Sequence, residues 1–165
     1  MHQTIDINAT LGYMADELRP LLARNPIMIG VHSGGVWVAE RLRQALDLAE
    51  PLGTLDISFY RDDFTRVGVN PQVKTSNLPT NIEDRHVILV DDVLHTGRTI
   101  RAALNEIFDY GRPASVTLAV LICRDGRELP IEAQIIGHTL KLKPKQHIKL
   151  TGPEPLQLNI QETAG

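Results

Sequence analysis

Apolar positions recur at helical spacing from Thr10 to Arg24, where Leu11, Met14, Ala15, Leu18 and Leu22 fall on one face. The spacing predicts a first amphipathic helix, capped by Asn8 or Thr10 and closed by Pro26. Ile27-Met28-Ile29-Gly30-Val31 then forms an unbroken apolar run, the pattern of a strand buried on both faces. After His32-Ser33-Gly34-Gly35 the helical period returns from Val36 through Val38, Leu42, Ala45, Leu46 and Ala49. Leu55, Ile57 and Phe59 alternate with Asp56, Ser58 and Tyr60, which predicts a strand with one wet or functional face. From Thr65 to Asn81 neither period holds, and Gly68, Pro71 and Pro79 mark a long loop of the kind that serves as a lid or binding loop. Val87 to Val90 is a second buried strand, with Asp91 and Asp92 at its carboxyl end. Thr96-Gly97-Arg98-Thr99 opens a helix carrying Ile100, Ala103, Leu104 and Ile107, which Gly111 and Pro113 terminate. Val116 to Ile122 reads as a further interior strand and Ala133 to Gly137 as a short edge strand. After the Gly152-Pro153 turn, Leu156, Leu158 and Ile160 alternate in a last one. If Lys141 to Lys149 is extended, Lys141, Lys143, Lys145 and Lys149 line one solvated face.

Strands alternating with helices predict an α/β fold around a mostly parallel sheet. At 165 residues the chain reads as a single domain, 1–165, large enough to bury a core without staples. Hydrophobic residues at 42% and charged residues at 22% exclude disordered and fibrous classes. A formal net charge of −3 supplies no general attraction for nucleic acid. The lone Cys123 lies in an apolar run and reads as a buried, inert thiol. With no basic leader and no apolar run long enough for a bilayer, a cytoplasmic location without a membrane partner is the expectation.

Candidate chemistry concentrates between Val87 and Thr99. Carboxylates end a parallel strand, and a small polar loop opens a helix whose N–H groups and dipole can hold a phosphate. Asp91 and Asp92 have three open roles: metal ligands, general bases, or acceptors for ribose hydroxyls. As neighbours in a strand they point to opposite faces, which disfavours a symmetric acid and base pair. The six histidines have no paired ligand spacing, so no protein metal site is expected. Ser33 stands outside any Gly-x-Ser-x-Gly elbow, which argues against a serine hydrolase. Gly34-Gly35, between a strand and a helix, is a second candidate anion cradle or a plain tight turn.

An apolar strand, two acids and Thr-Gly-x-Thr in this order resemble the PRPP-binding motif of the type I phosphoribosyltransferases. Tyr60-Arg61-Asp62-Asp63, Val93 to Leu104 and Arg127-Glu128-Leu129-Pro130-Ile131 further resemble the PyrR family, bifunctional pyrimidine operon regulators and uracil phosphoribosyltransferases. The resemblance implies a type I phosphoribosyltransferase fold, with a small hood and a flexible lid over Thr65 to Leu78. It implies conversion of uracil and PRPP to UMP and pyrophosphate, with a UMP- or PRPP-responsive role in regulating pyrimidine genes and a homodimer or higher oligomer. By the same resemblance His95, Thr96, Gly97, Arg98 and Thr99 cradle the 5′-phosphate, and Asp91 and Asp92 accept from the ribose. Ser33, Gly34 and Gly35 form the pyrophosphate loop, Arg61 meets the leaving pyrophosphate, and Ile136 and Gly137 position the uracil edge. Mg²⁺ is held mainly by PRPP itself. The chain departs from the family pattern at Ser33-Gly34-Gly35, where Thr-Arg-Gly is common. It departs again at Gly12 to Glu17, where RNA-binding members carry Thr, Arg and His. Acids there repel phosphates and speak against RNA, and the missing arginine motivates an alternative, a non-catalytic nucleotide sensor acting through RNA or a protein partner.

Overall fold

The computed structural model describes residues 5–57 and 76–163. Arg61, Arg66 and Lys74, the Tyr60 to Asp63 stretch and most of the expected lid lie outside them.

Five parallel strands form the central sheet: β1 (Ile27–Val31), β2 (Gly53–Leu55), β3 (His86–Leu94), β4 (Ser115–Arg124) and β5 (Ile135–Leu140), in the order β2-β1-β3-β4-β5. Helices α1 (Ile7–Leu18) and α2 (Gly34–Leu46) cover one face. Helix α3 (Arg98–Tyr110) covers the other. Met28, Ile88, Val90 and Ala119 pack under α1 and α2, while Ile27, Ile29, Val87, Leu89, Leu118 and Val120 pack under α3. Both faces of the inner strands are therefore buried, which explains why β1, β3 and β4 read as continuous apolar runs. Because α2 leaves β1 toward β2 and α3 leaves β3 toward β4, the strand order reverses between β1 and β3. In open α/β sheets that reversal leaves a crevice at the carboxyl ends of the two strands.

Several boundaries differ from those the pattern predicts, each for a local reason. Helix α1 starts earlier because Asp6, not Asn8 or Thr10, caps it, its carboxylate accepting from the Ala9 N–H at 3.0 Å. It also stops at Leu18: Pro20 opens a 3-10 turn over Arg19–Arg24, since proline has no N–H to continue the ladder. Helix α2 begins on Gly34 itself and ends at Asp47, left-handed at φ 51°. Strand β5 continues to Leu140, three residues beyond the edge strand expected from Ala133 to Gly137. The lysines do not share one strand face. Lys141, Lys143 and Lys145 precede β6 (Gln146–Thr151), and Lys149 lies within it. Strand β6 pairs antiparallel with β7 (Gln157–Glu162), Leu150 opposite Leu158, and Leu150 and Leu156 close the core beneath α1 and α2.

Candidate active site at the strand crossover

Strand β3 does not end at its acids. Val93 and Leu94 still pair with Ile122 and Cys123, so Asp91 and Asp92 sit inside the strand, with two paired residues after them. Nor does the strand alternate regularly around them. Ile88, Val90 and Val93 all pack with the α1 and α2 core, whereas Leu89 and Leu94 pack with the α3 core, so the alternation slips by one residue across the acids. The neighbouring strand slips with it, since Leu121 and Ile122 both face the α1 and α2 side. The carboxylates accompany this irregularity: the Asp92 N–H donates to Asp91 Oδ1 and the Val93 N–H to Asp92 Oδ1, both at 2.8 Å. Asp91 is buried at 4% exposure and Asp92 half-buried.

Both acids meet the loop that follows β1. A Cβ on Gly34 would stand 2.2 Å from Asp92 Oδ2, and one on Gly35 would stand 2.6 Å from the Val90 carbonyl oxygen and 3.1 Å from Asp91 Oδ1. Gly34 and Gly35 are thus more than a tight turn, because only residues without a side chain let the start of α2 lie against the acidic pair. The His32–Ser33 peptide is cis, and the His32 N–H donates to the Leu55 carbonyl at 2.9 Å, tying the loop to β2. Ser33 is exposed and its side chain does not cap α2.

On the other side of the crevice, α3 starts at Gly97, whose φ of 95° suits glycine. Gly97 has no side chain to cap α3, which leaves the first-turn N–H groups beyond that of Arg98 to other partners, as an anion site requires. The Arg98 N–H donates to Thr96 Oγ1 at 3.2 Å, while the Arg98 side chain turns to Glu128, with Nε 2.9 Å from its carboxylate. Arg98 therefore contributes backbone to the loop, and its guanidinium is engaged at an exposed ion pair worth little to stability. The turn after β4 packs behind this loop, with Arg127 donating to the His95 carbonyl oxygen and the Glu128 and Leu129 N–H groups donating to that of Thr96. Thr99 follows in the first turn of α3, half-buried.

Ile136 and Gly137 lie in the body of β5. Ile136 is level with Asp91 across β4, through the pairs Asp91–Val120 and Val120–Ile136, and packs toward α3. Gly137 presses against α1, where an added Cβ would stand 2.6 Å from Thr10 Cγ2 and 2.4 Å from the Leu121 carbonyl oxygen. The sequence motif Arg127-Glu128-Leu129-Pro130 pointed to the turn after β4 but not to its contact with the loop that opens α3, which depends on β3 and β4 being neighbours.

His95 has its pKa held below the ordinary imidazole value, first by partial burial and then by the Arg124 charge, against the opposing pull of Glu128 and Asp125. As pH falls, the unfolded chain takes up this proton before the folded one, so the folded state loses stability through the ordinary histidine range. The loss is small because the ring keeps much of its contact with water. His95→Gln is expected to narrow the gap between urea midpoints measured at about pH 5.5 and about pH 7.5. An unchanged gap would place the titration elsewhere.

A parallel sheet whose crossover crevice brings two carboxylates between a glycine loop and an uncapped helix start defines a phosphoribosyltransferase. The family model of the phosphoribosyl transferase domain matches residues 9–149. Among solved structures, a hypoxanthine-guanine-xanthine phosphoribosyltransferase aligns with a TM-score of 0.63 at 26% identity, covering 82% of this chain and 74% of that one. A purine phosphoribosyltransferase from Pyrococcus horikoshii aligns with a TM-score of 0.64 at 25% identity, covering 81% and 83%. Among curated relatives, the bifunctional protein PyrR of Nitrosococcus oceani is 60% identical over 96% of this chain and 93% of its own length. That of Pseudomonas savastanoi is 56% identical over 90% of each. The chain belongs to the PyrR family of bifunctional proteins, the phosphoribosyltransferases that pair uracil chemistry with pyrimidine operon regulation.

Proposed function

We propose that residues 1–165 act as one phosphoribosyltransferase domain that converts uracil and PRPP to UMP and pyrophosphate. The observation that carries the reading is the crevice itself: Asp91 and Asp92 held against Gly34 and Gly35 on one side, with the start of α3 on the other. In the reaction the C1–O bond to pyrophosphate breaks, the bond from uracil N1 to C1 forms, and the N1 proton leaves to solvent. Positive charge builds on the ribosyl group as the first bond loosens. Asp91 and Asp92 accept from the ribose hydroxyls and stabilise that charge. The backbone of His95 to Thr99 holds the 5′-phosphate, and the N–H groups around Ser33, Gly34 and Gly35 meet the departing pyrophosphate. Ile136 and Gly137 frame the uracil edge, and Arg61 stands with the pyrophosphate. No covalent nucleophile is required.

Among the described residues, no group of three or more His, Cys, Asp or Glu side chains is placed to hold a metal ion. Mg²⁺ would be carried mainly by PRPP, with Asp91 and Asp92 nearby, and would supply neutralisation of the leaving pyrophosphate's charge. The second half of the family's work, regulation, reads here as a response to UMP or PRPP. The first helix presents Tyr13, Asp16 and Glu17 to solvent, a poor surface for RNA. A homodimer suits the family. No helix among the described residues is long and apolar enough to cross a membrane.

The test is UMP formation from uracil and PRPP with Mg²⁺, with hypoxanthine, guanine and orotate as competitors. Turnover with uracil and weak competition by the other bases is expected. Binding of UMP without any turnover by folded protein would favour the nucleotide-sensor alternative.

A further inference from the structure

The turn Arg124 to Ile131 holds no reacting group, yet it makes three hydrogen bonds to the loop that opens α3. Arg127 Nη1 donates to the His95 carbonyl, and the Glu128 and Leu129 N–H groups both donate to the Thr96 carbonyl, at 2.9 and 3.1 Å. Arg127 is itself fixed at its other contacts, Nη1 to the Arg124 carbonyl at 3.3 Å and Nη2 to Cys123 Sγ at 3.2 Å, so it spans from the end of β4 to the end of β3. Leu129 and Ile131 complete the contact against Gly97, where a Cβ would lie 3.1 to 3.4 Å from their side chains.

In a planar trans peptide the carbonyl and the following N–H point in opposite directions. Drawing the His95 and Thr96 carbonyls back onto the turn therefore aims the N–H groups of Thr96 and Gly97 away from it. We propose that Arg127 is a positioning residue: with the Glu128 and Leu129 amides it braces the His95 and Thr96 carbonyls from behind, so that the paired N–H groups of Thr96 and Gly97 face the 5′-phosphate. The inference deepens the reading of this crevice as a phosphoribosyl site and rests on it. Arg127 touches no reacting atom, and its effect is confined to the part of the ligand that carries the phosphate.

Calorimetric binding of UMP and of uridine to the full chain separates that part from the rest. Wild-type protein should prefer UMP, and Arg127→Met should lower that preference by about tenfold or more while uridine affinity and the thermal midpoint stay unchanged. Arg127→Lys, which keeps one donor for the His95 carbonyl, should recover part of the preference. In turnover the same loss should appear in the KM for PRPP rather than in kcat. An equal loss for UMP and uridine, or no loss for either, would overturn the brace while leaving the phosphoribosyl reading intact. Wild-type protein that binds UMP no better than uridine would overturn both.

Discussion

Replacing Asp91 and Asp92 together by asparagine should lower uracil-dependent turnover by about a hundredfold or more, with the fold retained. The substitution keeps the shape of both side chains and their ability to accept a hydrogen bond from the Asp92 and Val93 N–H groups, so the slip in β3 survives. What disappears is the negative charge opposite the developing ribosyl cation, and losing one preorganised electrostatic partner costs on the order of 10²-fold in rate. The single variants should not be additive, because the two carboxylates lie against one loop and the Asp91 carboxylate accepts from the Asp92 N–H. Steady-state kinetics with uracil and PRPP, paired with a thermal midpoint to show folding, check the result. Unchanged kinetics in the double variant would move the ribose site elsewhere in the crevice.

The second large effect is expected at the glycine pair. Gly35→Ala would drive its methyl group to within 2.6 Å of the Val90 carbonyl and 2.9 Å of Asp91 Cα, both backbone atoms that cannot turn aside. Overpacking of this kind costs about 1–3 kcal/mol, and the strain falls on Asp91, the residue whose carboxylate the proposed ribose site uses. Both stability and turnover should drop, which urea unfolding and kcat/KM would record separately. At Gly34 the obstacle is the Asp92 carboxylate, 2.2 Å from where a Cβ would stand. Gly34→Arg, which would reinstate the arginine common at this position in the family, should therefore lower activity instead of raising it. A Gly34→Arg chain more active than wild type would mean that Asp92 yields its place at little cost and that the missing guanidinium limits the rate.

These expectations show where the sequence alone stops. Among the described residues, the period of apolar residues located the three helices, strands β1, β3 and β4, and parts of β5 and β7, because burial on one or both faces writes itself directly into hydrophobic spacing. It misplaced ends wherever a single polar contact or a missing N–H decided them. Asp6 won the α1 cap, Pro20 broke the same helix into a 3-10 turn, and ladder bonds to β4 carried β3 past its acids. The lysine row failed for a related reason, since alternation in sequence has a meaning only if the segment is extended, and Lys141 to Lys145 is a loop.

For the site, the order of residues from Val87 to Thr99 was sufficient to propose a phosphate loop beside carboxylates, because that chemistry is local. The opposite-face rule for adjacent strand residues assumes regular alternation, and β3 slips by one residue across Asp91 and Asp92 in step with β4. No local pattern announces a slip shared by two strands whose paired residues lie 29 positions apart in the chain.

By itself, then, the sequence determined the α/β class, the buried strands and the identity of the chemical groups at the crevice, all properties of neighbouring residues. Only the tertiary structure decided that Gly34 and Gly35 lie against the acids, that the Arg98 guanidinium turns away to Glu128, and that Arg127 reaches back to the His95 carbonyl. Each of those depends on which strands are neighbours, and strand order is set by long-range packing that short-range periodicity does not encode.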